Sequence, residues 1–147
     1  MDFKRCLDKS CIYDLLVSFE NIFPHLTEKI SSFDDYAQKL SEYAYVVEAS
    51  EENESAGILV FYANDQKTKT AYISLIGVKK EKSRKGIGKA LLNYCEEFSL
   101  KQGMSRLRLE VDKDNVNAIR FYEKNGFSCE GETSQDSFYM IKDFNGK

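Results

Sequence analysis

The chain has 147 residues, 42% of them apolar and 31% charged, with one proline, a composition that fits one globular domain and excludes a disordered or collagen-like chain. A domain of this length buries roughly 68 to 70% of the surface its unfolded chain exposes, so its core is expected to stand without disulfides or a structural metal. With 21 basic against 24 acidic residues the formal charge is −3, which excludes a global field for nucleic acid.

The apolar stretches at residues 58–62 and 72–78 fall far short of the roughly 20 residues that cross a bilayer. The opening MDFKRCLDKS carries no apolar segment behind its basic residues, unlike a secretory signal, and a soluble cytoplasmic protein is the expectation.

Residues 9–22 place Ile12, Leu15, Leu16 and Phe19 at helical spacing, and Pro24 is expected to stop that helix. Ser32 then caps a second helix, FDDYAQKLSEY, whose first turn holds Asp34 and Asp35 and whose buried face is Phe33, Tyr36, Ala37 and Leu40. The period then changes. Residues 43–49, 56–63 and 70–78 are rich in aromatic and β-branched side chains and are separated by the turn compositions SEENES and NDQKTK, which predicts three strands in a meander.

Residues 81–103 carry Ile87, Leu91, Leu92, Cys95 and Phe98 on a helical stripe ended by Gly103. A strand at 105–111 buries Leu107, Leu109 and Val111, a helix at 115–124 stops at Asn125 and Gly126, and strands at 127–132 and 137–142 follow. The order predicts an α+β or α/β layered domain with a mixed central sheet flanked by helices, one domain over residues 1–147.

Cys6, Cys11, Cys95 and Cys129 show no C-x-x-C spacing and His25 is the one histidine, so no metal site is expected and the cysteines read as small core residues. A thiol hydrolase using Cys95 or Cys129 with His25 is an alternative reading.

The segment IGVKKEKSRKGIGKALL takes an apolar strand through a charged turn to Gly86 and Gly88 at the start of a helix. That order aims backbone amides at an anion, with Lys79, Lys80, Lys82, Arg84, Lys85 and Lys89 around the turn, and a pyrophosphate is the natural guest. The segment lacks the G-x-x-x-x-G-K-S/T of a Walker A loop and the third glycine of a dinucleotide fingerprint. It resembles the acyl-coenzyme A loop of the GNAT acetyltransferase superfamily, Q/R-x-x-G-x-G/A, with Gly86 and Gly88 fixing the register. Downstream, LRLEVDKDNVNAIRFYEKNGF is similar to the same superfamily's second signature, through Asn115, Ala118, Tyr122, Gly126 and Phe127. The resemblance spans about Tyr43 to Phe144. Two positions depart from it: Ser83 stands where Gln or Arg is usual, and Arg84 where glycine is common. Residues 3–7 read poorly as the family's first strand, so a remodelled sheet edge is expected.

The resemblance implies a fold whose fourth and fifth strands splay, with residues 8–43 as a variable acceptor side and 44–144 as a cofactor-binding core. It implies acetyl-coenzyme A as acyl donor, no metal, and transfer of acetyl to a primary amine by direct attack on the thioester. Ile76 and Val78 would pair with the pantetheine arm, the amides of Arg84, Lys85, Gly86, Ile87, Gly88 and Lys89 would meet the pyrophosphate, Ser83 would stand among the cofactor-binding positions of the loop, and Asn115 would bond the arm. Tyr122 matches the tyrosine that protonates the departing thiolate. Glu110 resembles the glutamate base of ribosomal-protein N-terminal acetyltransferases, or is a solvent-facing residue of an alternating strand. The glutamate of histone-type members is absent, Tyr72 standing there, and Tyr36 and Tyr72 are candidates to line an acceptor pocket. The acceptor is expected to be a small-molecule or peptide amine, such as an amino sugar or polyamine, with no nucleic acid or membrane partner, acting as monomer or homodimer. The same fold as a non-catalytic acyl-coenzyme A sensor is the alternative.

Overall fold

The computed structural model describes residues 1–23, 26, 30–83 and 85–144; Pro24, His25 and Arg84 lie outside the described residues. The elements are β1 (Asp2–Cys6), α1 (Lys9–Ser18), α2 (Phe33–Tyr43), β2 (Tyr45–Glu51), β3 (Glu54–Tyr62), β4 (Thr70–Val78), a 3-10 turn (Lys80–Lys82), α3 (Ile87–Lys101), β5 (Arg106–Asp112), α4 (Val116–Lys124), β6 (Ser128–Glu132) and β7 (Ser137–Asp143). The strand order is β1-β2-β3-β4-β5-β7-β6. β4 and β5 run parallel, while β1–β2, β2–β3, β5–β7 and β6–β7 are antiparallel. This is the expected mixed sheet with helices.

By their contacts the residues form two compact units, Met1–Phe61 with Leu75–Asn93, and Tyr62–Ser74 with Tyr94–Lys147. In the first unit α1 buries Ile12, Leu15, Leu16 and, just past its end, Phe19. Ser32 caps α2 by accepting from the Asp35 amide at 3.0 Å, and Ala37 and Leu40 are fully buried while Phe33 and Tyr36 are half-buried. Glu52 and Asn53 both take positive φ, at 53° and 66°, the two-residue turn that matches the twist of the β2–β3 hairpin. Gly57 of β3 lets α3 lie close, since a Cβ there would stand 2.9 Å from Leu91 Cδ1 and 3.1 Å from Ile87 Cγ2. In the second unit Leu107, Leu109 and Val111 of β5 are buried, as the alternation predicts.

Three expectations change. The helix predicted to reach residue 22 ends at Ser18, because the Phe19, Glu20 and Ile22 amides turn to the carbonyls of Leu16, Val17 and Phe19 in tighter steps. The first strand exists: Asp2–Cys6 pairs with β2 from Asp2–Ser50 to Cys6–Val46. Cys6 and Cys11 are not isolated thiols but a disulfide, since the end of β1 and the first turn of α1 hold their Cα atoms 5.6 Å apart.

Candidate active site

Strand β4 changes character along its length. Ala71 and Ile73 are buried, whereas every residue from Ser74 to Val78 is only half-buried. The parallel register with β5 joins Thr70 with Arg106 through Ile73 with Leu109, while β4 itself continues to Val78. Leaving Leu75, Ile76 and Val78 partly in water forgoes about 25 cal/mol for each Å² of apolar surface. Gly77 sits among them because a Cβ would meet Phe23 Cζ at 2.7 Å and Ile22 Cγ2 at 3.0 Å. The strand is anchored where it ends, the Lys79 amide donating to the Ala56 carbonyl at 2.9 Å.

The loop that follows is built mostly by main chain. Lys82 and Ser83 amides donate to the carbonyls of Lys79 and Lys80, and the Ser83 hydroxyl donates to the same Lys80 carbonyl at 2.8 Å, so this side chain fastens the turn. Gly86 has a φ of +76° and nothing among the described residues within 4 Å of where a Cβ would point, a backbone that an L side chain adopts only with strain. The helical ladder of α3 starts with the Ala90 amide on the Gly86 carbonyl at 3.0 Å. The amides of Ile87, Gly88 and Lys89 therefore belong to the first turn, which has no intrahelical acceptors and carries the positive end of the dipole.

Lys80, Lys85 and Lys89 are exposed beside this turn. Lys79 and Lys82, expected with them, are engaged elsewhere: the Lys79 ammonium lies 5.0 Å from the Phe19 ring centroid, and Lys82 pairs with Glu54 at 2.8 Å. That hydrogen bond and charge raise the Lys82 pKa and lower that of Glu54.

In the second unit Asn115 caps α4, its side-chain carbonyl accepting from the Ala118 amide at 3.2 Å. Tyr122 of α4 is 9% exposed. Its ring meets the Phe127 ring edge-on at 5.6 Å and the Phe121 ring at 5.4 Å. Burial pushes the phenol up to about 12, so the proton stays on at neutral pH. Glu110 on β5 accepts from the Thr133 hydroxyl and from the Ser137 hydroxyl, both at 2.6 Å. The structure thus brings Ile76, Val78, Ser83, Lys85, Gly86, Ile87, Gly88 and Lys89 into one continuous segment of the first unit, and Glu110, Asn115 and Tyr122 into the second. Thr133 and Ser137 escape sequence reading, because no motif ties them to a glutamate 23 and 27 residues away.

Over residues 10–127 the chain matches the acetyltransferase (GNAT) family. It belongs to that family. The GNAT chain is 28% identical to the spermidine N(1)-acetyltransferase of Escherichia coli (strain K12) over 121 residues, 82% of this chain and 63% of that protein. It is 39% identical to the spermidine N(1)-acetyltransferase of Thermoplasma acidophilum over 67 residues, 46% of this chain and 41% of that protein. In both cases the matched part is less than two thirds of the relative's own length. Among solved structures, the PaiA N-acetyltransferase of Thermoplasma acidophilum in complex with coenzyme A superposes with a TM-score of 0.74 at 22% identity, over 98% of this chain and 100% of that one, a likeness of fold.

Other residues of the GNAT chain have bland roles. Cys95 is buried on the stripe of α3 and its thiol is pushed up to about 12 by desolvation, which makes it a core residue rather than a nucleophile; Cys129 is exposed. Tyr72 lines a cavity of about 210 Å³ with Tyr62, Asn64, Thr70 and Arg108, and Arg108 is held by Glu130 at 3.0 Å. Tyr36 belongs to the other unit. Among the described residues no cluster of three or more His, Cys, Asp or Glu is placed to hold a metal ion, and no helix is long and apolar enough to cross a membrane.

Proposed function

We propose that the chain is an acetyl-coenzyme A dependent N-acetyltransferase that moves an acetyl group to a primary amine by direct attack on the thioester. The observation that carries this reading is β4 past Ile73. A strand end with half-exposed Leu75, Ile76 and Val78 runs straight into a loop whose open Gly86 starts a helix. An extended pantetheine arm beside Ile76 and Val78 would cover that apolar surface, and the pyrophosphate would meet the amides of Lys85 to Lys89, the Ser83 amide being spent on the Lys80 carbonyl. Ser83 in place of Gln or Arg does not oppose this, because its hydroxyl serves the turn and the contacts expected of the loop are main-chain ones. Asn115 spends its carbonyl as a cap, which leaves its amide nitrogen to donate to the arm.

The donor supplies an activated acetyl carbon. As the new C–N bond forms and the C–S bond breaks, Tyr122 donates its phenolic proton to the departing sulfur. The attacking amine must first lose a proton, since an alkylammonium has an ordinary pKa near 10.4. Glu110, oriented by Thr133 and Ser137, is assigned that proton, directly or through water. Similarity to two spermidine acetyltransferases supports testing polyamines first as acceptors, ahead of amino sugars and peptide amines.

The test is a thermal melt with increasing acetyl-coenzyme A, followed by thiol release with an amine panel. Ligand at 100 times its dissociation constant stabilises by about 2.7 kcal/mol. A saturable rise with thiol release upholds the enzyme. A rise with no release for any amine leaves the acyl-coenzyme A sensor, and no rise at millimolar ligand removes the loop from its role.

A further inference from the structure

We propose that Cys6 and Cys11 form a reversible thiol–disulfide site that reacts with low-molecular-weight disulfides and clamps the edge strand β1 to the first turn of α1. The two sulfurs are joined and the Cα atoms are 5.6 Å apart, within the 4.4–6.8 Å that a disulfide spans. The site is built by two elements: β1 delivers Cys6 at its end, and Asp8 caps α1 by accepting from the Cys11 amide at 2.8 Å. Strand β1 needs the clamp. Cys6 is its one buried residue, the others being exposed, and among the described residues it stands at the edge of the sheet beside β2. Besides the β2 ladder, Arg5 stacks over the Tyr45 ring at 5.1 Å. Opening of such an edge is local and costs far less than global unfolding.

The two cysteines differ in access. Cys6 is 5% exposed, whereas Cys11 is half-buried. Access sets the order. The Cys11 thiolate attacks one sulfur of glutathione disulfide, forming a mixed disulfide and expelling one glutathione thiolate. The Cys6 thiolate then attacks Cys11 Sγ, forming the Cys6–Cys11 bond and expelling the second. Two electrons pass to the glutathione pair, and the two protons lost from the cysteines end on its thiols.

The experiment uses the full chain carrying Cys129→Ser, which removes the exposed thiol. It is equilibrated at graded ratios of glutathione to glutathione disulfide, quenched, alkylated and mapped by mass. Cys6 and Cys11 are expected to lose and regain alkylation together. In the reduced form the β1 amides exchange about tenfold faster while those of β3 are unchanged, and the melting temperature falls by about 4 to 8 °C. Adding Cys6→Ser traps one glutathione on Cys11, and adding Cys11→Ser traps none on Cys6. Cys6 and Cys11 alkylated at every ratio, or β1 exchange indifferent to reduction, overturns the site; trapping on Cys6 in preference to Cys11 overturns the order of attack.

Discussion

At the Gly86 loop the groups assigned to the anion are main-chain amides, at a φ of +76° and the start of α3. At Tyr122 one phenol between Phe121 and Phe127 carries the proposed proton donation to the leaving thiolate. The first kind of site tolerates change in side chains, because any residue except proline supplies an N–H in the right conformation. The second does not, because only a particular atom can hold and give the proton. The largest predicted effect follows from that contrast. Tyr122→Phe keeps the ring packing and removes the acid, so kcat is expected to fall by about 10²-fold or more while acetyl-coenzyme A affinity stays put. Steady-state thiol release beside calorimetric binding measures both; a kcat within about twofold of wild type breaks the contrast.

Next in size is Gly77→Val, which tests the scaffold under the binding end. The added side chain would drive into Phe23 and Ile22, and overpacking of this kind costs about 1–3 kcal/mol. A lowered urea midpoint with an unchanged m-value is the expected signature. Gly86→Ala sharpens the comparison further. Space is open there, so the penalty is the positive φ alone, roughly 1 kcal/mol or about a fivefold loss of acetyl-coenzyme A affinity with kcat little changed. Ser83→Ala should do less, since its hydroxyl holds only a turn carbonyl.

The same contrast explains what was readable beforehand. Gly86, Asn115 and Tyr122 lie in short segments whose local pattern dictates a turn, a cap or a helix face, and each stands where the pattern puts it. The β4 limits come out as Thr70–Val78 because alternation and flanking turns agree there. What the pattern conceals is pairing across distance. Lys82 reads as one more cation of the loop, yet a partner 28 residues upstream turns it away. Thr133 reads as a residue between two strands and Ser137 as the first residue of the last one, with nothing to tie either to a carboxylate until β5 and β7 come together at Glu110 and Tyr139. The Cys6–Cys11 bond depends on an edge strand that local propensity barely supports but that the β2 ladder provides.

The smallest predicted effect belongs to that Lys82–Glu54 pair, because the Glu54 carboxylate is 70% exposed and surface pairs contribute little. Glu54 is held below its ordinary 4.5 by the Lys82 hydrogen bond and charge. Its stabilisation is therefore present above that value and lost as pH falls through the lowered one. Lys82 is raised above its ordinary 10.5 by the same bond, so its stabilisation is present below 10.5 and lost as pH rises through the raised value. Glu54→Gln removes both. The difference in urea midpoint between wild type and variant should be a shallow plateau between about pH 5 and 10 that closes on both sides. Because Lys82 faces Glu54 rather than the loop, acetyl-coenzyme A affinity in the variant should change by less than about twofold. A larger gain would return the freed Lys82 to the anion site and make the loop depend on a side chain after all.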